Sequence, residues 1–157
     1  MTKKDVEECK QKYKASTISN QQLEDAFWEC SCLTNNKIII LSENKTKFII
    51  NNPDQKDIVI TTVDPCINIF KDEKKCDFCV LCEGKMLYVE LKGVDIETGC
   101  EQLISSIEKF DHLHKDYKRL CFLVSHPKAP MSIFHKYQKK IFTKKNITAS
   151  VEREVSF

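Results

Sequence analysis

A chain of 157 residues, 41% hydrophobic and 31% charged, has the size and composition of one globular domain with a real core, over 1–157. Three Gly and four Pro exclude a low-complexity linker, and no apolar run reaches membrane-helix length. The polar start MTKKDVEECK does not read as a signal peptide, so a cytoplasmic protein with no membrane partner is expected.

In chain order, residues 2–14 are charged and weakly periodic, the pattern of a frayed helix. Ser19 and Gln22 form a capping box before Leu23, Ala26, Phe27 and Cys30, whose spacing predicts an amphipathic helix over 20–31. Strand-like runs follow at 37–42, 46–50, 57–63 and 66–70, separated by Asn-rich and Pro-containing turns. Residues 76–92, CDFCVLCEGKMLYVELK, read as two strands around a turn at Glu83-Gly84. A helix is predicted over 97–112, with Leu103, Ile104, Ile107 and Phe110 as its apolar stripe. The nearly continuous apolar run 119–125 fits a central strand, Pro130 fits the start of a helix over 131–143, and 147–155 alternates like an edge strand. The expected architecture is α/β (α+β): one mixed sheet covered by helices.

The hairpin carries the chemistry. A turn centred on Glu83-Gly84 sets Asp77 directly opposite Glu90, with Cβ atoms about 4.5–5.5 Å apart. Lys92, two residues beyond Glu90, points to the same face. The opposite face carries Phe78, Val80, Leu87, Val89 and Leu91, a core face. Opposed carboxylates repel, and a hard divalent cation such as Mg²⁺ or Mn²⁺ relieves that repulsion. Such an ion also activates water and stabilises charge on a phosphoryl group.

Asp77, a hairpin, then Glu90-Leu91-Lys92 resembles the PD-(D/E)xK nuclease superfamily, with its restriction-endonuclease-like fold. The order αβββαβ, followed here by a C-terminal helix and strand, is similar over about residues 19–125. The stretch CDFCVLCEGKMLYVELKGVDIETGCEQL also resembles small stand-alone bacterial proteins of this type. The resemblance implies metal binding by Asp77 and Glu90 and assistance to the attacking water by Lys92. Many members add an acid on the first helix, for which Glu24 is the candidate and Glu29 competes. Some add a Gln on the helix after the motif, for which Gln102 stands here. Cys76 occupies the place of the family's Pro. The implied protein is a Mg²⁺-dependent endonuclease acting on DNA in defence or repair, with a homodimer for double-strand cleavage. The alternative is a catalytically silent nucleic-acid-binding or interaction module on the same fold.

Net charge +2 conceals an asymmetry, because 128–145 hold six Lys and no acid. Lys136, Lys139, Lys140 and Lys144, on the polar side of the last helix, are the candidate DNA-phosphate contacts. Arg is scarce, which argues against rich base-edge readout. Nine cysteines, an odd number without an export signal, are expected to be free buried thiols. Cys76, Cys79 and Cys82 have cluster-like spacing. In a strand, however, Cys76 and Cys82 share one face about 20 Å apart and Cys79 takes the other, so no metal–sulfur site is expected. His112, His114, His126 and His135 read as surface or capping residues, and no small-molecule cofactor is expected.

Overall fold

The structure, a computed structural model, describes residues 20–70 and 73–157. The charged segment 2–14 and the cap at Ser19 lie outside the described residues. Helix α1 (Asn20–Glu29) leads into strands β1 (Ser31–Thr34), β2 (Ile38–Glu43), β3 (Thr46–Asn51) and β4 (Ile58–Thr62). The hairpin β5 (Phe78–Cys82) and β6 (Lys85–Leu91) follows, then α2 (Ile96–His114) and β7 (Lys118–Val124). Helix α3 (Met131–Tyr137), β8 (Thr148–Ser150) and β9 (Glu154–Ser156) complete the chain.

The strands make two sheets, a mixed α/β arrangement in which a second sheet takes a place expected for helices. The larger runs β1-β4-β5-β6-β7-β8 and the smaller β2-β3-β9. Within the larger, β4, β5 and β6 form an antiparallel meander, while β7 lies parallel to β6 and β8 parallel to β7. Parallel neighbours need long crossovers, and α2 and then α3 supply them. The helices cover one face, where Leu23, Phe27, Tyr88, Leu103, Phe110 and Leu123 form one core. The smaller sheet covers the other, burying Ile39, Leu41, Phe48 and Ile50 against Val80, Leu87, Val89, Leu91 and Phe122. Strand β6 is therefore covered on both sides, as the apolar run 86–89 within it requires. No helix among the described residues is long and apolar enough to cross a membrane.

Several sequence expectations are corrected. Residues 66–70 form no strand: Asn68–Phe70 make a 3₁₀ turn in the connection to β5. The tail 147–155 is two strands in different sheets. β8 pairs with β7, the chain then crosses, and the Arg153 C=O accepts the Ile49 N–H (2.8 Å) as β9 joins β3. The last helix stops regular α-geometry at Tyr137 and widens into a π turn over Gln138–Phe142.

The thiols are not all free, because Cys30 and Cys66 form a disulfide with Cα atoms 5.9 Å apart. The Thr62 N–H donates to the Cys30 C=O (3.0 Å), joining the end of α1 to the end of β4. Counting cysteines does not reveal that proximity. Cys76 lies before the first residue of β5, so strand alternation does not reach it. It packs with Cys79 and Cys121 on the helix side, whereas Cys82 lies between the sheets. His114 is buried rather than superficial. Its Nδ1 meets the Tyr88 hydroxyl at 2.7 Å, and the Phe110 ring stacks on it. Burial pushes the imidazole down to about 4, so the pair is neutral at pH 7.

Candidate active site

The β5–β6 turn has two residues, Glu83 (φ 46°) and Gly84 (φ 73°), between the paired Cys82 and Lys85. Positive φ at both suits the right-handed twist of the flanking strands, and Gly84 adopts it without strain. From that turn the register runs to Phe78↔Val89, which brings Asp77, the residue before β5, beside Val89 and Glu90. Asp77 immediately precedes β5. Its N–H donates to the Val89 C=O (3.1 Å), and its own C=O accepts from the Val63 N–H (2.9 Å). One carboxylate oxygen, Oδ2, accepts the Leu91 N–H at 2.6 Å.

Both acids are deeply buried, Asp77 at 4% and Glu90 at 1% exposure, and Glu90 has the parity of Tyr88, which packs in the core under the helices. The residues expected to carry charge on one face of the hairpin are thus themselves packed. Burial raises the pKa of each above the usual carboxylate range. The Leu91 N–H partly offsets this at Asp77, and the Asp77 charge adds to it at Glu90. The nearest cation is Lys92, whose Nζ lies 3.7 Å from Glu90 Oε1. Glu90 Oε2 is buried with no hydrogen-bond partner among the described residues. An unpaired buried carboxylate oxygen is costly, and such exceptions call for an explanation.

A third carboxylate, absent from the sequence reading, also bears on this pair. Glu43, at the end of β2, raises the pKa of Asp77 through its charge and a side-chain hydrogen bond, and its charge reaches Glu90. Its parity with the buried Ile39 and Leu41 was legible. That the β2–β3 hairpin docks beside Asp77 was not.

The other candidates divide. Gln102 on α2 donates through Nε2 to the Lys75 C=O (2.9 Å), holding the segment that ends in Asp77, and its Oε1 is buried and unpartnered among the described residues. Lys75 is itself buried, bonding the Ile67 C=O at 3.0 Å. Glu24 does not join the acidic pair. It lines a hollow with Phe27, Trp28, Leu81, Met86 and His114, towards the turn end of the hairpin. Met86 and Glu90 are four residues apart on β6, about 13 Å. Glu29 is exposed in the last turn of α1. Lys136, Lys139, Lys140 and Lys144 are all exposed at the end of α3 and beyond it. That helix packs on the first half of α2, where the charges of Glu97 and Glu101 act on Tyr137.

The start of α2 fixes Lys92. Asp95 caps the helix by accepting the Thr98 N–H (3.1 Å), and the Lys92 N–H donates to the Val124 C=O (2.8 Å). Between them, Gly99 lets the helix lie close to the sheet. A Cβ there would fall 2.7 Å from Leu123 Cδ1 and 3.4 Å from Lys92 Cβ and Cγ. Leu123 is fully buried and has little room to yield. Gly99→Ala is therefore expected to destabilise by about 1–2 kcal/mol, despite the roughly 1 kcal/mol advantage of Ala in a helix. Urea melts check this, and a variant as stable as the wild type would show that the contact is slack.

Among the described residues, no group of three or more His, Cys, Asp or Glu side chains is placed to hold one metal ion. A cation here would rest on Asp77 and Glu90, with water filling the remaining positions, as Mg²⁺ commonly does. Comparison of the chain with protein-family models, with curated proteins and with solved structures finds no match.

Proposed function

We propose that this chain is a Mg²⁺- or Mn²⁺-dependent nuclease of the restriction-endonuclease-like type, hydrolysing DNA phosphodiester bonds. The observation that carries the reading is the buried pair Asp77 and Glu90, with Glu90 Oε2 unpaired among the described residues and Lys92 at 3.7 Å from Oε1. Two buried carboxylates against one ammonium are a poor structural device, since an uncompensated buried charge costs several kcal/mol. They are a good site for a hard divalent cation, whose ligands are carboxylate oxygens and water. The meander β4-β5-β6, the crossover α2 and the parallel β7 follow the βββαβ part of the resemblance, while β1, β2 and β3 stand between α1 and the meander.

The donor set fits. Among the described residues Glu90 Oε2 is free to ligate, while Asp77 Oδ2 is held by the Leu91 N–H and its carboxyl also meets the Glu43 side chain. A bound cation would supply Lewis-acid stabilisation of a phosphoryl oxygen and a water of lowered pKa. The chain's own residues then divide the work. Lys92, its backbone pinned to β7 and its stem against α2, presents an ammonium to the attacking water or to the charge developing on phosphorus. Gln102 keeps the backbone at Lys75 in place, and with it Asp77. The exposed Lys136, Lys139, Lys140 and Lys144 neutralise phosphates away from the scissile bond.

The test is a cleavage panel of duplex, nicked, branched and single-stranded DNA and of RNA, with Mg²⁺, Mn²⁺ or EDTA, alongside Glu90→Gln. At least one DNA form is expected to be cut with metal, and none with EDTA or by the variant. Binding without cleavage of any form would replace the nuclease with the silent binding module.

A further inference from the structure

Strand β2 is an edge of the smaller sheet, paired only with β3 among the described residues. The Lys37 C=O accepts the Asn52 N–H at 2.7 Å, and bonded positions alternate along an antiparallel pair. Residues 37, 39, 41 and 43 therefore bond inward to β3, while Ile38, Ile40 and Ser42 turn their N–H and C=O groups outward. The side chains of Ile38 and Ile40 are 63% and 54% exposed, among the few large apolar groups left in the open. An exposed, apolar, unpaired edge invites another strand.

The ends of β2 indicate which strand. Lys37 and Glu43 sit at equal distances from Ile40, and both share the inner face with the buried Ile39 and Leu41. Lys37 has no ion-pair partner among the described residues, and Glu43 belongs to the acidic cluster with Asp77 and Glu90. We infer that β2 is the seam of a two-fold homodimer, with Ile40 against Ile40 of the partner subunit.

In this antiparallel register Ile38 faces Ser42, Ile39 faces Leu41, and Lys37 faces Glu43 of the partner subunit, in both directions across the axis. Each outward residue exchanges its backbone bonds with the partner, and the two small sheets become one continuous sheet. A slip of two residues sets Lys37 against Leu41 or Glu43 against Ile39, and a slip of one reverses the faces. Only the register centred on Ile40 matches both charge and face. The self-complementarity favours a second copy over a foreign strand, because an isologous interface needs each half to answer itself. It also carries a cation, Lys37 of the partner subunit, to Glu43, the outermost of the carboxylates around the candidate site. The seam stands independently of the nuclease reading. If that reading holds, one two-fold axis relates two cleavage sites, one for each strand of a duplex.

Light scattering and sedimentation equilibrium on the full chain read the proposal by mass. The wild type is expected at twice the chain mass. Ile40→Lys, which sets like charges together on the axis at an exposed position, should weaken the dimer by about tenfold or more while circular dichroism stays unchanged. Lys37→Glu and Glu43→Lys should each weaken it, and the double exchange should restore it. Hydrogen exchange adds a readout specific to the seam, since the amides of Ile38, Ile40 and Ser42 should slow as protein concentration rises. A monomeric wild type, a dimer untouched by Ile40→Lys, or a charge exchange that fails to restore association would each overturn the seam. A monomeric wild type would leave the edge open or assign it to another protein.

Discussion

Lys92→Ala is expected to lower the single-turnover rate of DNA cleavage by about 10²–10⁴-fold while leaving DNA affinity within roughly threefold. The Lys92 ammonium lies 3.7 Å from a buried carboxylate oxygen, and its backbone is bonded to the parallel neighbour β7. In the proposed reaction it acts on the attacking water or the developing charge, and an interaction made mainly in the transition state lowers turnover rather than binding. The opposite pattern is expected for Lys136→Ala, Lys139→Ala and Lys140→Ala combined. These side chains are exposed on a solvent face, so their loss should weaken binding to every sequence and flatten the log–log salt dependence by about 2–3. Binding isotherms at several salt concentrations, with quenched single-turnover assays, separate the two roles. Lys92→Ala cutting at the wild-type rate would end the catalytic assignment. An unchanged salt slope in the triple variant would reduce the basic surface to solvated charge.

Above neutral pH the metal-free protein is expected to be less stable than its own Asp77→Asn, Glu90→Gln variant, by about 2–4 kcal/mol at pH 8. Both carboxyls are raised in the folded state, chiefly by burial. A carboxyl whose folded pKa exceeds its unfolded value holds more protons when native. Its stabilising contribution is present in full below the unfolded value, near 4, and is lost as pH rises through the folded one. For Asp77 that window closes at about 7, and Glu90 extends the loss beyond it. Buried His114 works in the opposite sense, since its depressed pKa makes stability rise with pH between about 4 and 6.5. The fall should therefore show most cleanly above pH 6.5, and subtracting the double variant removes the contribution of His114. Mg²⁺ or Mn²⁺ should restore the wild type and leave the double variant unchanged, because an ion bound only by the native state stabilises it by about 2.7 kcal/mol at a hundredfold excess over its dissociation constant. Urea melts at pH 5, 6.5 and 8, in EDTA and in metal, measure this without reference to cleavage. Parallel pH profiles for the two proteins would show that the pair carries no stored repulsion.

The sequence alone determined the elements whose physics is local. The turn at Glu83-Gly84 and the alternation on either side of it set the register of β5 on β6, which leaves Asp77 at the end of the hairpin near Glu90 and Lys92 beside Glu90. The apolar stripe of α2 and the unbroken apolar run of β7 were equally plain, because period and length suffice to distinguish a surface helix from a central strand. What only the tertiary structure decided depends on segments distant in the chain. The β2–β3 hairpin covers the second face of the large sheet and brings Glu43 to the acidic pair. Cys30 meets Cys66 because the end of α1 is bonded to the end of β4. Glu24 lies towards the wrong end of the hairpin, since helical periodicity gives the face of α1 but not its position along the sheet. Periodicity records which way a side chain points relative to its own backbone. Where two such elements meet is set by packing between them, and no local spacing encodes it.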